Sequence, residues 1–175
     1  YRSYDIQEFR AASGKYTHGY FIMCPIIPDM LDIRPDKVVE KVAQACRVAE
    51  GLSVGIVALG GFTSIAGEKQ SRALSNTVNV PLTTGNTFTV GLVLEGVTKA
   101  AQWMEIDLPK AKVAVLGGGG DIGGACARLL CEKASEVVIT GRNERTLMEA
   151  ERSLSYAGRA RVKTSLDNNS AVRDA

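Results

Sequence analysis

Gly118, Gly120 and Gly123 stand at G-x-G-x-x-G spacing, and Gly117, Gly120 and Gly123 satisfy the looser G-x-x-G-x-x-G. Glycines so spaced do one kind of chemistry. They let a backbone turn sharply, approach a diphosphate closely and aim helix N-terminal N–H groups at it. Gly117, Gly118, Gly119, Gly120, Asp121, Ile122 and Gly123 are the expected cradle. A glycine motif alone is weak, because glycines also make ordinary turns. Here the run Val113-Ala114-Val115-Leu116 precedes it, and Ile122, Ala125, Cys126, Leu129 and Leu130 follow at helical spacing.

A second strand is expected over Val137-Val138-Ile139-Thr140, running into Gly141-Arg142-Asn143-Glu144-Arg145. Where NAD is bound, an acidic residue at this strand end accepts from the ribose 2′-OH. Arg142 lies 19 residues past Gly123, in the place of that residue. A guanidinium there pairs with a 2′-phosphate, and Arg145 adds a second cation. Arg142, Asn143 and Arg145 therefore select NADP(H) as the expected cofactor. Glu144, the competing 2′-OH acceptor, falls inside the next helix.

Two further stretches carry small and hydroxyl residues, GGFTSIAG at 60–67 and LTTGNTFTVG at 82–91. Both read as loops at the C-terminal ends of strands, the edge where ligands bind in open α/β sheets. Thr84, Asn86 and Thr87 are the candidate contacts there, and the same residues suit a helix start. His18 is the sole histidine, so any imidazole chemistry in this sequence must use it. Cys24 precedes Pro25 near a strand end and is the cysteine best placed as a nucleophile, though no activating base stands beside it. Cys46, Cys126 and Cys131 fall on helical stretches and read as small core residues. No catalytic residue is assigned.

The elements that must position these residues are α/β. Residues 19–27 (GYFIMCPII) read as a buried strand. A helix begins at Pro35-Asp36, carries Val38, Val42, Ala45, Cys46 and Ala49, and stops at Gly51. Val54 to Leu59 reads as the next strand, so a right-handed parallel crossover is expected. Residues 1–87 form an N-terminal α/β domain on this reading. A connecting helix over 88–109 follows, with Val90, Val93, Leu94, Val97, Ala101 and Met104 on one face. Residues 110–175 then form the N-terminal half of a Rossmann-type NADP-binding domain. A helix near 144–156 and a strand near 160–164 continue the alternation, and 171–175 reads as the approach to a fourth strand. The chain starts at Tyr1 and holds about half of a doubly wound sheet, so it reads as part of a longer protein.

Composition narrows the class. The 175 residues are 45% hydrophobic and 23% charged, as in globular proteins. A net charge of +2 argues against nucleic acid as a partner. No apolar run reaches bilayer length, and no signal peptide is visible. The four cysteines lack C-x-x-C spacing, which argues against a metal site and suits reduced thiols in the cytoplasm.

Several motifs in order carry a family resemblance: Pro28-Asp29-Met30-Leu31, ALGGFTSI at 58–65, TTGNTFT at 83–89, EIDLPKAKVAVLGGGGDIG at 105–123 and TGRN at 140–143. Over about residues 16–175 the chain resembles the cyanobacterial-type long-chain acyl-acyl-carrier-protein reductases, which form fatty aldehydes. It is more distantly similar to shikimate dehydrogenases and glutamyl-tRNA reductases. The resemblance implies an NADPH-dependent reductase that moves an acyl group from a thioester onto an enzyme cysteine and then reduces it to an aldehyde. That cysteine lies downstream of the nucleotide-binding strands in the family, outside this chain. The four-glycine run departs from the family, where a small or hydroxyl residue separates the glycines. The expected substrate is a small-molecule or carrier-bound acyl group, with acyl carrier protein or coenzyme A as donor. Lys37, Lys41 and Arg47 are the candidate basic face for an acidic carrier, and an oligomer is compatible with the sequence. The alternatives are a shikimate- or amino-acid-type NADP dehydrogenase, against which Phe88 stands where that family has Asp, and a nucleotide-sensing module without turnover.

Overall fold

The computed structural model describes residues 1–173 and 175. They divide into two compact units, Tyr1–Gly85 and Asn86–Ala175, and both mix helices with strands.

The first unit opens with an antiparallel hairpin, β1 (Arg2–Arg10) with β2 (Tyr16–Ile22). Gly14, at φ +82°, makes the turn, and Ala11 N–H donates to Lys15 O at 2.8 Å. Tyr4 stacks on Phe21 with ring centroids 4.9 Å apart. The buried strand expected over 19–27 is thereby corrected. β2 starts earlier, ends before Pro25, which has no N–H to give a ladder, and is largely exposed. The expected crossover from it is not formed either, because its ladder partner is β1.

After the short helix α1 (Met30–Ile33), α2 (Pro35–Gly51) starts at its proline as expected. Its buried face is Val38, Val42, Ala43, Cys46 and Ala49, so Ala43 takes the place expected for Ala45. The parallel pairing in this unit joins β3 (Val57–Ala58) to β4 (Leu82–Thr83). Between them lie α3 (Phe62–Lys69) and α4 (Ser71–Ser75), so most of 60–67 is helix rather than loop. The hydroxyls that suggested a loop serve the helix start. Thr63 Oγ1 donates to Gly60 O at 2.8 Å, and Ser64 Oγ donates to Gly61 O at 2.7 Å. Val38, Val42, Cys46, Leu59 and Leu74 form the core, with Leu74 fully buried.

The second unit begins with α5 (Asn86–Trp103) and a 3-10 turn at Leu108–Lys110. There follow β5 (Lys112–Val115), α6 (Asp121–Leu130), β6 (Glu136–Thr140), α7 (Glu144–Leu154), β7 (Arg161–Ser165) and α8 (Asn168–Val172). The three strands form a parallel sheet in the order β5-β6-β7, with Val115 opposite Ile139 and Thr140 opposite Ser165. β6 is central, which explains its unbroken apolar run: a strand covered on both faces has no polar side to show. Val137, Val138 and Ile139 are all buried, while β7 exposes Arg161, Lys163 and Thr164.

Val90, Leu94 and Val97 of α5 and Cys126, Ala127 and Leu130 of α6 pack into the same core. Val93 and Met104, expected on that inner face, are exposed. The helix turns Phe88, Leu92, Val93 and Trp103 outward instead. Ala171 and Val172 close α8, where Asp167 accepts from the Asn169 and Ser170 N–H groups, and Asp174 lies outside the described residues. Among the described residues no helix is long and apolar enough to cross a membrane.

Candidate functional site

β5 feeds directly into the glycine run, and α6 leaves from it. The glycines do not share one role. Gly117 adopts φ +77°, which side chains rarely tolerate, and its carbonyl accepts the Gly120 N–H at 2.9 Å to close the turn. Gly118 is buried, and a Cβ there would lie 2.6 Å from Ile139 Cβ on β6. A Cβ on Gly123 would lie 2.3 Å from Gly117 O, so α6 could not sit this close to the turn. A Cβ on Gly119 would meet the Thr146 methyl of α7 at 3.3 Å. These four positions therefore serve the protein's own turn and packing. Gly120, whose added Cβ would meet nothing nearer than 3.4 Å, leaves the mouth of the turn open.

Gly120 is the N-cap of α6 and gives it no side-chain capping bond. The first N–H groups of a helix have no partner within the helix, and the partial positive charge there favours an anion. Asp121 and Ile122, both exposed, follow in the first turn. Asp121 places a negative charge beside this end, which complements the helix dipole when no anion is present.

At the end of β6, Thr140 is buried to 1% exposure, and its Oγ1 accepts the Gly117 N–H at 3.2 Å. The sequence reading gives Thr140 only as the last residue of a strand. Its hydrophilic type at the end of an apolar run is the signal that could have marked it. Arg142, two residues on, is exposed and has no ion-pair partner among the described residues. Asn143 caps α7, its Oδ1 accepting the Thr146 N–H at 3.2 Å. Arg145 projects from the first turn of α7, 90% exposed, with its Nε 3.1 Å from Glu149 Oε1. Arg142, Asn143 and Arg145 thus cluster at one strand-to-helix junction, and the glycine turn packs on the same junction through Thr140, Ile139 and Thr146. The donor set fits a phosphorylated dinucleotide: open helix N–H groups beside a turn without side chains, and an unpaired guanidinium at the neighbouring strand end.

Of the other candidates, Thr84 belongs to the N-terminal unit, where its Oγ1 donates to Glu68 Oε1 at 2.5 Å. It lines a cleft of about 300 Å³ with Leu59, Gly67, Ser71 and Thr83. Asn86 and Thr87 form the first turn of α5 in the second unit. His18 is exposed on β2, its Nδ1 against Gln7 O and its ring edge-on to Tyr16. All four cysteines are free. Burial pushes every one of their thiols upward, Cys24 included, although Lys41 pulls the other way there. None of the four has the lowered pKa of an activated nucleophile. Of the basic-face residues, Lys37 is paired with Glu40 at 2.6 Å and Lys41 Nζ donates to Pro25 O at 3.0 Å.

No family model matches the chain. It is 36% identical over 161 residues to the long-chain acyl-[acyl-carrier-protein] reductase of Synechococcus elongatus, covering 87% of this chain and 46% of that protein. It is 28% identical over 120 residues to aminotransferase PigE of a Serratia species, covering 69% of this chain and 14% of that protein. The chain spans about half the length of the first relative and a small part of the second. With the glycine turn, the strand-end arginine and this alignment together, the chain is a partial homologue of the long-chain acyl-[acyl-carrier-protein] reductase.

Proposed function

We propose that this chain is the nucleotide-binding part of an NADPH-dependent oxidoreductase that reduces an acyl thioester to an aldehyde. The observation that carries it is the packing of the glycine turn against the junction that presents Arg142. On this reading 110–175 is the first half of a Rossmann-type domain. The N–H groups at the start of α6 hold the diphosphate, Gly120 gives it room, and Arg142 with Arg145 holds the 2′-phosphate. Bound NADPH supplies the hydride. The resemblance puts the cysteine that accepts the acyl group, releasing the carrier thiol, downstream of the nucleotide-binding strands, and burial raises each of the four thiols here rather than activating it. The relative's name supports the substrate class, an acyl group on acyl carrier protein.

The match to a differently named protein favours a second reading. The two relatives carry different names, and on this second reading the chain binds the nucleotide without turnover of its own. One experiment separates them. The longer protein is given NADPH with acyl-acyl-carrier protein or acyl-coenzyme A, and aldehyde is measured. Aldehyde formed in step with NADPH consumed supports the reductase. NADPH binding without turnover on either thioester selects the second reading, and no NADPH binding defeats both.

A further inference from the structure

Thr140 is the sole polar side chain that is buried among the described residues. The last two residues of β6 meet the first two of the glycine turn one to one. Thr140 Oγ1 takes the Gly117 N–H at 3.2 Å, and Ile139 fills the space where Gly118 lacks a Cβ. Gly119, next in the turn, stands beside the Thr146 methyl, three residues beyond the capping Asn143. Packing against Ile139 and Thr146 limits how close the turn can come but does not set its rotation. The hydrogen bond does, because it has a direction. Valine has the shape of threonine and would keep the packing while removing the acceptor.

We propose that Thr140 is a positioning residue: its hydroxyl holds the Gly117 N–H and so sets the diphosphate turn in register with the Arg142 strand end. This rests on the dinucleotide reading above. One ligand touching both ends then needs both at a fixed spacing, whereas a ligand touching only the Arg142 end does not.

The test uses the longer protein that carries this chain, with Thr140→Val and Thr140→Ser, titrated with NADPH and with adenosine 2′-monophosphate, which lacks the diphosphate. Thr140→Val is expected to weaken NADPH at least fivefold and to leave the monophosphate within twofold. Thr140→Ser is expected to match the unaltered chain for both. Equal NADPH affinity in Thr140→Val, or equal weakening of both ligands, overturns the positioning role. An unaltered chain that binds neither ligand overturns the dinucleotide reading and this inference with it. Hydrogen exchange of the Gly117 amide in the unaltered chain checks the bond without any variant. Protection is expected, and exchange as fast as that of an open loop amide overturns the proposal even if Thr140→Val does not fold.

Discussion

Gly118 presses against Ile139 so closely that a Cβ on the glycine would lie 2.6 Å from the isoleucine Cβ. Ile139 is fully buried in the central strand and cannot withdraw. Gly118→Ala is therefore expected to cost about 1–3 kcal/mol, the usual range for overpacking, and to lower the thermal midpoint. Gly123→Ala meets backbone, the Gly117 carbonyl at 2.3 Å, and is expected to cost more and to abolish NADPH binding. A midpoint unchanged in either variant would contradict this packing.

Gly96 makes the opposite case. It lies inside α5, exposed, with nothing within 4 Å of an added Cβ. Gly96→Ala should stabilise the chain by about 0.5–1 kcal/mol, since alanine loses less backbone entropy in a helix. Chemical denaturation reads this directly, and a drop in stability would show that this face of α5 is covered.

On the proposed function Arg142 decides the cofactor. The unaltered chain should prefer NADPH to NADH by tenfold or more, and Arg142→Ala should lose that preference through weaker NADPH binding alone. Arg145, paired with Glu149 on the surface, should contribute less. Tighter binding of NADH by the unaltered chain would remove the assignment.

Asn143 Oδ1 already accepts the Thr146 N–H as the cap of α7, so its first role is structural. Asn143→Ala should cost about 1 kcal/mol of stability. Asn143→Asp keeps the cap but sets a negative charge beside Arg142, so stability should hold while NADPH affinity falls and NADH affinity does not. Equal loss of both nucleotides in Asn143→Asp would argue against a 2′-phosphate at this junction.

Burial raises all four thiols, and the direction gives a pH dependence. A pKa higher in the folded state means the neutral thiol is favoured there. Its contribution to stability is complete below the ordinary thiol pKa and is lost as pH rises through the folded value. Cys46, Cys126 and Cys131, all buried, should resist iodoacetamide at pH 7 in the folded chain and react in denaturant. Rapid alkylation of these three in the native state, read by mass spectrometry, would show that they are not held as neutral core groups.

The second unit was the more legible half. Its strands and helices carry long, consistent signals: β6 is apolar over Val137-Val138-Ile139 because both faces are covered, and α7 opens on the capping residue Asn143. The first unit was misread where local pattern and partner choice part company. The run at 19–27 is apolar enough for a core strand, yet β2 takes β1 as its neighbour and Pro25 ends the ladder's reach. The sequence signal for that hairpin was the Ser13-Gly14 turn. At 60–67 the small hydroxyl residues suit a loop and a helix start equally, and the bonds from Thr63 and Ser64 belong to the second.

By itself the sequence determined that a strand runs into a glycine turn and a helix, and that an arginine stands where an acidic residue is expected. These are properties of neighbours along the chain, which spacing and backbone preference govern. Only the tertiary structure decided which glycine serves which purpose, because Gly118 answers to Ile139 and Gly123 to the Gly117 carbonyl across space. It alone brought Thr140 to the turn, 23 positions away, since a hydrogen bond between parallel strand ends exists only once the sheet is assembled.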